Sequence, residues 1–120
     1  MTRGELGETL AAGFLAARGY DIAARNFRTR YGELDLIARK DGFLVFAEVK
    51  LRAGTWFGEA REAVTAAKQR KLILAAQEWL SRHPDGLQPR FDVIEVYLRP
   101  GAHVPENILH LENAFDAFDA

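Results

Sequence analysis

The chain has 120 residues, a net charge of −1 and no cysteine, which predicts one globular domain spanning residues 1–120, without disulfides or a thiolate metal site. This charge argues against a broadly basic nucleic-acid coat protein, although Lys and Arg cluster locally. No apolar run reaches the length of a membrane span and the N-terminus lacks a signal-peptide pattern, so we expect a cytoplasmic protein with no membrane partner.

The first predicted element is a helix from Arg3 to Arg18, in which apolar residues recur at helical spacing. Thr2 is a candidate N-cap, and Glu5 stands at the third helical position of a capping box. Gly19 is a natural helix stop. The segment "YDIAARNFRT" that follows is typical of a short strand or an extended stretch.

A β-hairpin is predicted next. Residues 33–38 alternate in polarity, "KDGF" is a turn signal centred on Asp41–Gly42, and Phe43–Lys50 is rich in Val and Phe. The loop "LRAGTWFG" follows the hairpin. Its aromatic residues, Trp56 and Phe57, could stack on bases or close the edge of a core.

A long helix is predicted from Glu59 to Arg82, followed by strands over residues 90–98 and 108–115. Lys68 interrupts the inner side of this helix, where it either reaches a site or extends along the surface to water. The order is one helix, three strands, one helix and two strands. This order predicts an α/β fold whose mixed sheet has a central β-hairpin flanked by helices.

The hairpin carries charges that folding does not require. Counting back from the turn places Asp35 opposite Glu48 and Glu33 opposite Lys50, all on one face. Opposed residues have Cβ atoms ~4.5–5.5 Å apart, and two carboxylates at that distance repel each other. Leu34, on the other predicted face, belongs with the residues that can supply the core.

A divalent cation would relieve this repulsion, because Mg²⁺ is typically held by one or two carboxylates. Lys50 projects on the same side as Glu48, where its ammonium could act on a water or stabilise charge on a phosphate. Asp35, Glu48 and Lys50 together suit metal-assisted hydrolysis of a phosphodiester. The alternative for each residue alone is a solvated sheet face, in which Glu33 pairs with Lys50.

The spacing of an Asp, about a dozen residues and Glu-x-Lys resembles the PD-(D/E)xK nuclease superfamily. "GE" at residues 7–8, "RNFR" at 25–28, "GELDLIA", "FAEVKLR", "FG" at 57–58 and "AV…K" from residue 63 resemble the bacterial YraN family, also catalogued as UPF0102. The resemblance implies a restriction-endonuclease-like fold, similar to archaeal Holliday-junction resolvases, and a dependence on Mg²⁺ or Mn²⁺. It also implies a site of Glu8, Asp35, Glu48 and Lys50, although Leu34 replaces the superfamily's proline.

Five further residues are candidates for binding nucleic acid: Asn26, Arg28, Arg30, Arg52 and Lys68. For the arginines the alternative is a scattered, solvated surface charge. Two functions remain open: a metal-dependent nuclease acting on DNA, at branched or single-stranded structures, and a module of the same fold that binds nucleic acid without cutting. A resolvase-like role would require a symmetric homodimer with two sites. The three histidines show no metal spacing and receive no role.

Overall fold

A computed structural model describes residues 1–53 and 64–115. This part of the chain contains two helices and five strands, in the predicted order: α1 (Arg3–Ala17), β1 (Asp21–Arg28), β2 (Glu33–Lys40), β3 (Phe43–Arg52), α2 (Ala66–Arg82), β4 (Gln88–Tyr97) and β5 (Asn107–Phe115). The prediction of a mixed α/β fold is therefore confirmed. Neither of these two helices is long and apolar enough to cross a membrane.

Local sequence signals explain where α1 begins and ends and where the hairpin turn forms. Thr2 Oγ1 accepts a hydrogen bond from the Glu5 N–H at 3.1 Å, which caps the helix as predicted. Gly19 has φ +89°, and the N–H groups of Gly19 and Tyr20 close the helix on the carbonyls of the preceding turn. Asp41 and Gly42 both have positive φ, as a two-residue hairpin turn requires.

The second helix begins later than predicted. Val64 and Thr65 are not helical, and α2 starts at Ala66, because the Thr65 side chain accepts a hydrogen bond from the Lys68 N–H and caps the helix. The rest of the predicted N-terminal extension lies outside the described residues. So do Trp56 and Phe57.

The five strands form one sheet in sequential order, β1-β2-β3-β4-β5. The β3–β4 pair is parallel and the other three pairs are antiparallel, so α2 is the crossover that returns the chain between parallel strands. We call the end of the sheet at which β3 and β4 finish the upper end. In α/β sheets, ligands bind beyond the carboxyl ends of the parallel strands.

The helices cover opposite faces of the sheet. One apolar cluster joins Ala11 and Leu15 of α1 to one side of β2, β3 and β4, and the other joins Leu72 and Trp79 of α2 to the opposite side. The first turns of both helices lie at the upper end. For α1 this is shown at Gly7, where an added Cβ would lie 3.5 Å from a methyl carbon of Leu51.

Candidate active site

The predicted hairpin register holds near the turn and fails at the upper end. Lys40–Phe43 and Ile37–Phe46 pair as predicted, but the ladder ends at Leu36–Ala47. The predicted pairs Asp35–Glu48 and Glu33–Lys50 do not form. The Asp35 carboxylate instead accepts a hydrogen bond from the Val49 N–H at 2.8 Å, so a side chain replaces the next backbone bond of the ladder.

The alternation of side chains along β2 shifts at Asp35. Leu36 packs in the cluster under α1, whereas Leu34 packs in the cluster under α2. On a regular strand, side chains two positions apart, such as Leu34 and Leu36, would lie on the same face. The predicted charged face is therefore wrong, because Ile37 points toward α2 while Glu33 and Asp35 gather with Glu8 of α1.

The neighbouring strand shifts at the same level. Arg25 donates a hydrogen bond to Thr9 of α1 at 2.9 Å, whereas Phe27 packs edge-on against Trp79 of α2. Between them, Asn26 has φ +53°, a left-handed conformation that Asn tolerates better than most residues. Since Arg25 and Phe27 pair with the residues on either side of Asp35, the bend in β1 accompanies the displacement of Asp35 from the ladder.

Replacing Asn26 tests whether this bend places Asp35. Asn26→Val should lower the free energy of unfolding by about 1–2 kcal/mol, because a β-branched residue is strained in the left-handed region. It should also weaken Mn²⁺ binding, since the Asp35 carboxylate depends on the shifted backbone. Asn26→Gly is the control and should retain both properties. Equal loss in both variants, measured by urea unfolding and calorimetry, would instead assign the effect to the amide side chain.

Three carboxylates meet beside this bend. One oxygen each from Glu8, Glu33 and Asp35 lies within 4.8 Å of the others, and all three residues are half-buried. The Glu33 carboxylate binds Arg28 Nε at 3.0 Å, so its predicted pairing with Lys50 is wrong. A cleft of about 410 Å³ opens over Glu8 and Glu33 at the first turns of α1.

The environment of Asp35 disfavours its ionised form. Burial raises the pKa of Asp35 to about 7, and the hydrogen bond from Val49 only partly offsets this shift. The negative charges of Glu48, Glu8 and Glu33 raise it further. An Asp with this pKa is half-protonated near neutral pH, and any cation that bound its carboxylate would compete with this proton.

Glu48 and Lys50 lie on the other face of β3. Its unbroken pairing with β4 preserves alternation, so these two side chains share the face of Phe46, under α2. Lys68 of α2 reaches this group, with Nζ 3.5 Å from one carboxylate oxygen of Glu48. The second oxygen of Glu48 is buried and has no hydrogen-bond partner within the described residues. Acidic side chains therefore lie on both faces of the sheet where β3 adjoins β2. Glu33 and Asp35 lie on the α1 face, and Glu48 lies on the α2 face.

Arg52 contacts a buried carboxylate, and its predicted binding of phosphate stays a prediction. Its Nε donates to the carboxylate of Glu95 at 3.1 Å, and Glu95 is 1% exposed. Glu95 is paired with Lys50 across β3 and β4 and was missed from the sequence. Its signal was available, because a carboxylate in the apolar run "RFDVIEVYL" is as unexpected as Asp35 in the hairpin.

The other predicted nucleic-acid contacts separate in space. Asn26 and Arg28 line the cleft above Glu33, where Arg28 is already paired. Arg30 is exposed in the β1–β2 turn, with its guanidinium 4.8 Å from the centre of the Tyr31 ring. Lys68 is exposed on α2 apart from its contact with Glu48. The structure therefore brings Glu8 and Asp35 together with Glu33, and Glu48 together with Lys68.

A second charged group, also missed, lies in the middle of β4 and on the neighbouring β5. Asp92 is 1% exposed, and its carboxylate binds Arg90 through two hydrogen bonds of 2.9 and 2.8 Å and His110 at 2.7 Å. Burial alone would raise the pKa of Asp92, yet the bonds from His110, Arg90 and the Asn113 N–H hold it below its ordinary value. Asp92 lies in the middle of β4 and its partners come from β4 and β5, which indicates a role in the scaffold.

Comparison with known proteins gives a consistent result. Residues 7–96 match the uncharacterised protein family UPF0102. A UPF0102 protein of Symbiobacterium thermophilum is 51% identical over 95% of this chain and 96% of its own length. One of Syntrophotalea carbinolica is 48% identical over 97% and 93%, and one of Caldanaerobacter subterraneus is 44% identical over 95% and 94%. The chain belongs to the UPF0102 family.

Proposed function

We propose that this protein is a metal-dependent nuclease that hydrolyses phosphodiester bonds of DNA, on a restriction-endonuclease-like variant of the observed α/β fold. The observation that carries the proposal is the group of carboxylates around Asp35 at the upper end of the sheet. Three of them lie within 4.8 Å of one another, and burial with like charges raises the pKa of Asp35 to about 7. Such an arrangement costs stability, and a bound cation would offset that cost.

The donor set fits a hard divalent cation. Mg²⁺ and Mn²⁺ prefer oxygen ligands, and every acidic side chain at this site offers carboxylate oxygen. The carboxylates of Asp35 and Glu8 are the groups that would hold it, with Glu33 adjacent. Glu48 lies on the other face of β3, but its negative charge raises the pKa of Asp35, and its buried, unbonded oxygen would be the further ligand. When bound, the cation would supply Lewis-acid activation of a phosphate and lower the pKa of a coordinated water.

The side chains of this chain have separate parts in the proposed reaction. The Val49 N–H fixes one oxygen of Asp35 beside Glu8 and Glu33, where the carboxylate would hold the cation. Lys50, on the face of Glu48, would stabilise the negative charge that develops on the phosphate or take up a proton from the attacking water. Lys68 would orient Glu48 through their ion pair.

A cleavage assay tests this function directly. Purified protein is incubated with single-stranded, duplex, flap and four-way DNA in Mg²⁺ or Mn²⁺, with EDTA as the control. We expect cutting of at least one branched or single-stranded substrate that EDTA abolishes. An absence of cutting in every metal, combined with DNA binding, would favour the alternative of a non-cleaving module.

Calorimetric titration with Mn²⁺ tests the cation site independently of cleavage. Asp35→Asn should abolish the binding, and the matched variant Asp21→Asn, an exposed carboxylate elsewhere on β1, should leave it unchanged. Because the pKa of Asp35 is about 7, affinity should rise from pH 6 to pH 8 and binding should release a proton. Unchanged Mn²⁺ binding in Asp35→Asn would contradict the site.

A further inference from the structure

The β1–β2 turn packs against the second turn of α2. A Cβ added to Gly32 would lie 3.9 Å from the Lys71 Cβ, so the two elements are in direct contact beside the candidate site. The turn is ordered by Thr29, whose hydroxyl accepts hydrogen bonds from the N–H groups of Tyr31 and Gly32 and donates to the Gly32 carbonyl. The turn therefore presents its exposed side chains from a defined backbone.

Exposed cationic side chains lie on both sides of the contact between the β1–β2 turn and α2. Lys68 and Lys71 are three residues apart on α2 and so share one side of the helix, while Arg30 extends from the turn. Arg30 lies over the ring of Tyr31 and donates a hydrogen bond of 2.6 Å to its hydroxyl. Within the described residues, Lys71 and Arg30 form no ion pair, and Lys68 contacts Glu48.

We propose that Lys68, Lys71 and Arg30 form a track, the basic track, which binds the phosphate backbone of the DNA strand as it leaves the site at Glu48. This deepens the proposed function, on which it rests, by naming the surface that receives the substrate. Charge complementarity selects the occupant: a row of exposed cations, two of which form no ion pair within the described residues, fits a polyanion, and it starts beside carboxylates that need a cation before a phosphate can approach.

The track differs from the surface expected from the sequence. Arg28 pairs with Glu33 through Nε, and Arg52 pairs with the buried Glu95, so a carboxylate partly neutralises each guanidinium. Lys71 takes their place because the fold brings it next to Gly32.

Salt-dependent binding of a fluorescein-labelled DNA duplex tests the basic track, with Ca²⁺ in place of Mg²⁺ throughout. The double variant Arg30→Gln/Lys71→Gln should reduce the slope of log affinity against log salt by about 1.8, which is about 0.9 for each lost phosphate contact. Arg70→Gln is the matched control, because Arg70 is also exposed on α2 but points to the opposite side from Lys68. It should leave the slope close to that of wild type.

The outcomes separate the track from the chemistry. If the wild type binds DNA without cutting it in any metal, while the double variant loses slope, the track stands and the nuclease proposal fails. If the wild type cuts and the double variant keeps its slope, the track is wrong and the nuclease proposal stands. An equal loss in Arg70→Gln, or no binding of the duplex by the wild type, would also overturn the track.

Discussion

Lys50→Ala should lower the rate of DNA cleavage at saturating substrate by ~10²-fold or more, the scale expected when one group that stabilises the transition state is removed. DNA affinity should fall only modestly, because one cation is a small share of the electrostatic total. The structure places Lys50 on the face of β3 that carries Glu48, at the carboxyl end of a parallel strand, where ligands of α/β proteins bind.

A conservative replacement distinguishes two roles of Lys50. Lys50→Arg should recover part of the rate if the side chain stabilises charge, since the guanidinium remains cationic. The rate should stay low if Lys50 transfers a proton, because Arg does not deprotonate in proteins. Thermal unfolding of both variants controls for folding. A wild-type rate in Lys50→Ala would make this residue a surface charge and remove the centre of the proposed mechanism.

Variants of the basic track should behave in the opposite way to Lys50→Ala. Arg30→Gln/Lys71→Gln should weaken binding while leaving the rate at saturating DNA close to that of wild type, because neither residue contacts the carboxylates. Lys50→Ala should retain binding and lose the rate. Measuring binding and single-turnover cleavage on the same variants therefore separates chemistry from substrate capture.

The alternation of side chains predicted the pairing near the hairpin turn correctly, because the turn fixes the register. The Asp41–Gly42 turn requires two positive φ values, and the first rungs follow from it. The prediction failed at Asp35, where a side chain takes the place of a backbone partner. Asn26 and Asp35 are both polar residues at one level of adjacent strands, but a sequence does not show that their backbones shift together.

The prediction from sequence also overlooked two carboxylates, Asp92 and Glu95. Asp92 and Glu95 interrupt an apolar strand as clearly as Asp35 interrupts the hairpin, but their partners come from distant positions. Arg52 reaches Glu95 from β3, and His110 reaches Asp92 from β5. Only the order of strands in the sheet determines which cation meets which acid, so spacing along the chain could not distinguish a site from a buried structural pair.

Asp92→Asn should lower the free energy of unfolding by about 3 kcal/mol, because it removes the main anionic partner of Arg90, whose side chain is only 13% exposed, and leaves it a longer contact of 3.9 Å with the exposed Glu112. The pKa of Asp92 is lowered in the folded state, so its stabilising effect is present above the pKa of the unfolded chain and is lost as the pH falls through the folded value. The difference between variant and wild type should therefore shrink in acid. Urea unfolding between pH 3 and pH 7 measures it.

Two comparisons identify the cause of this loss. Asp21→Asn breaks an ion pair of 3.4 Å with Arg39, but Asp21 is 76% exposed, so the change should cost less than about 1 kcal/mol. Adding Arg90→Met to Asp92→Asn should restore part of the lost stability, because it removes a largely buried cation that has lost its main partner. If the double variant is less stable than Asp92→Asn, packing rather than charge holds this part of the sheet. In either case Mn²⁺ binding by the folded Asp92→Asn protein should persist, since β3 separates Asp92 of β4 from Asp35 of β2 and the partners of Asp92 come from β4 and β5.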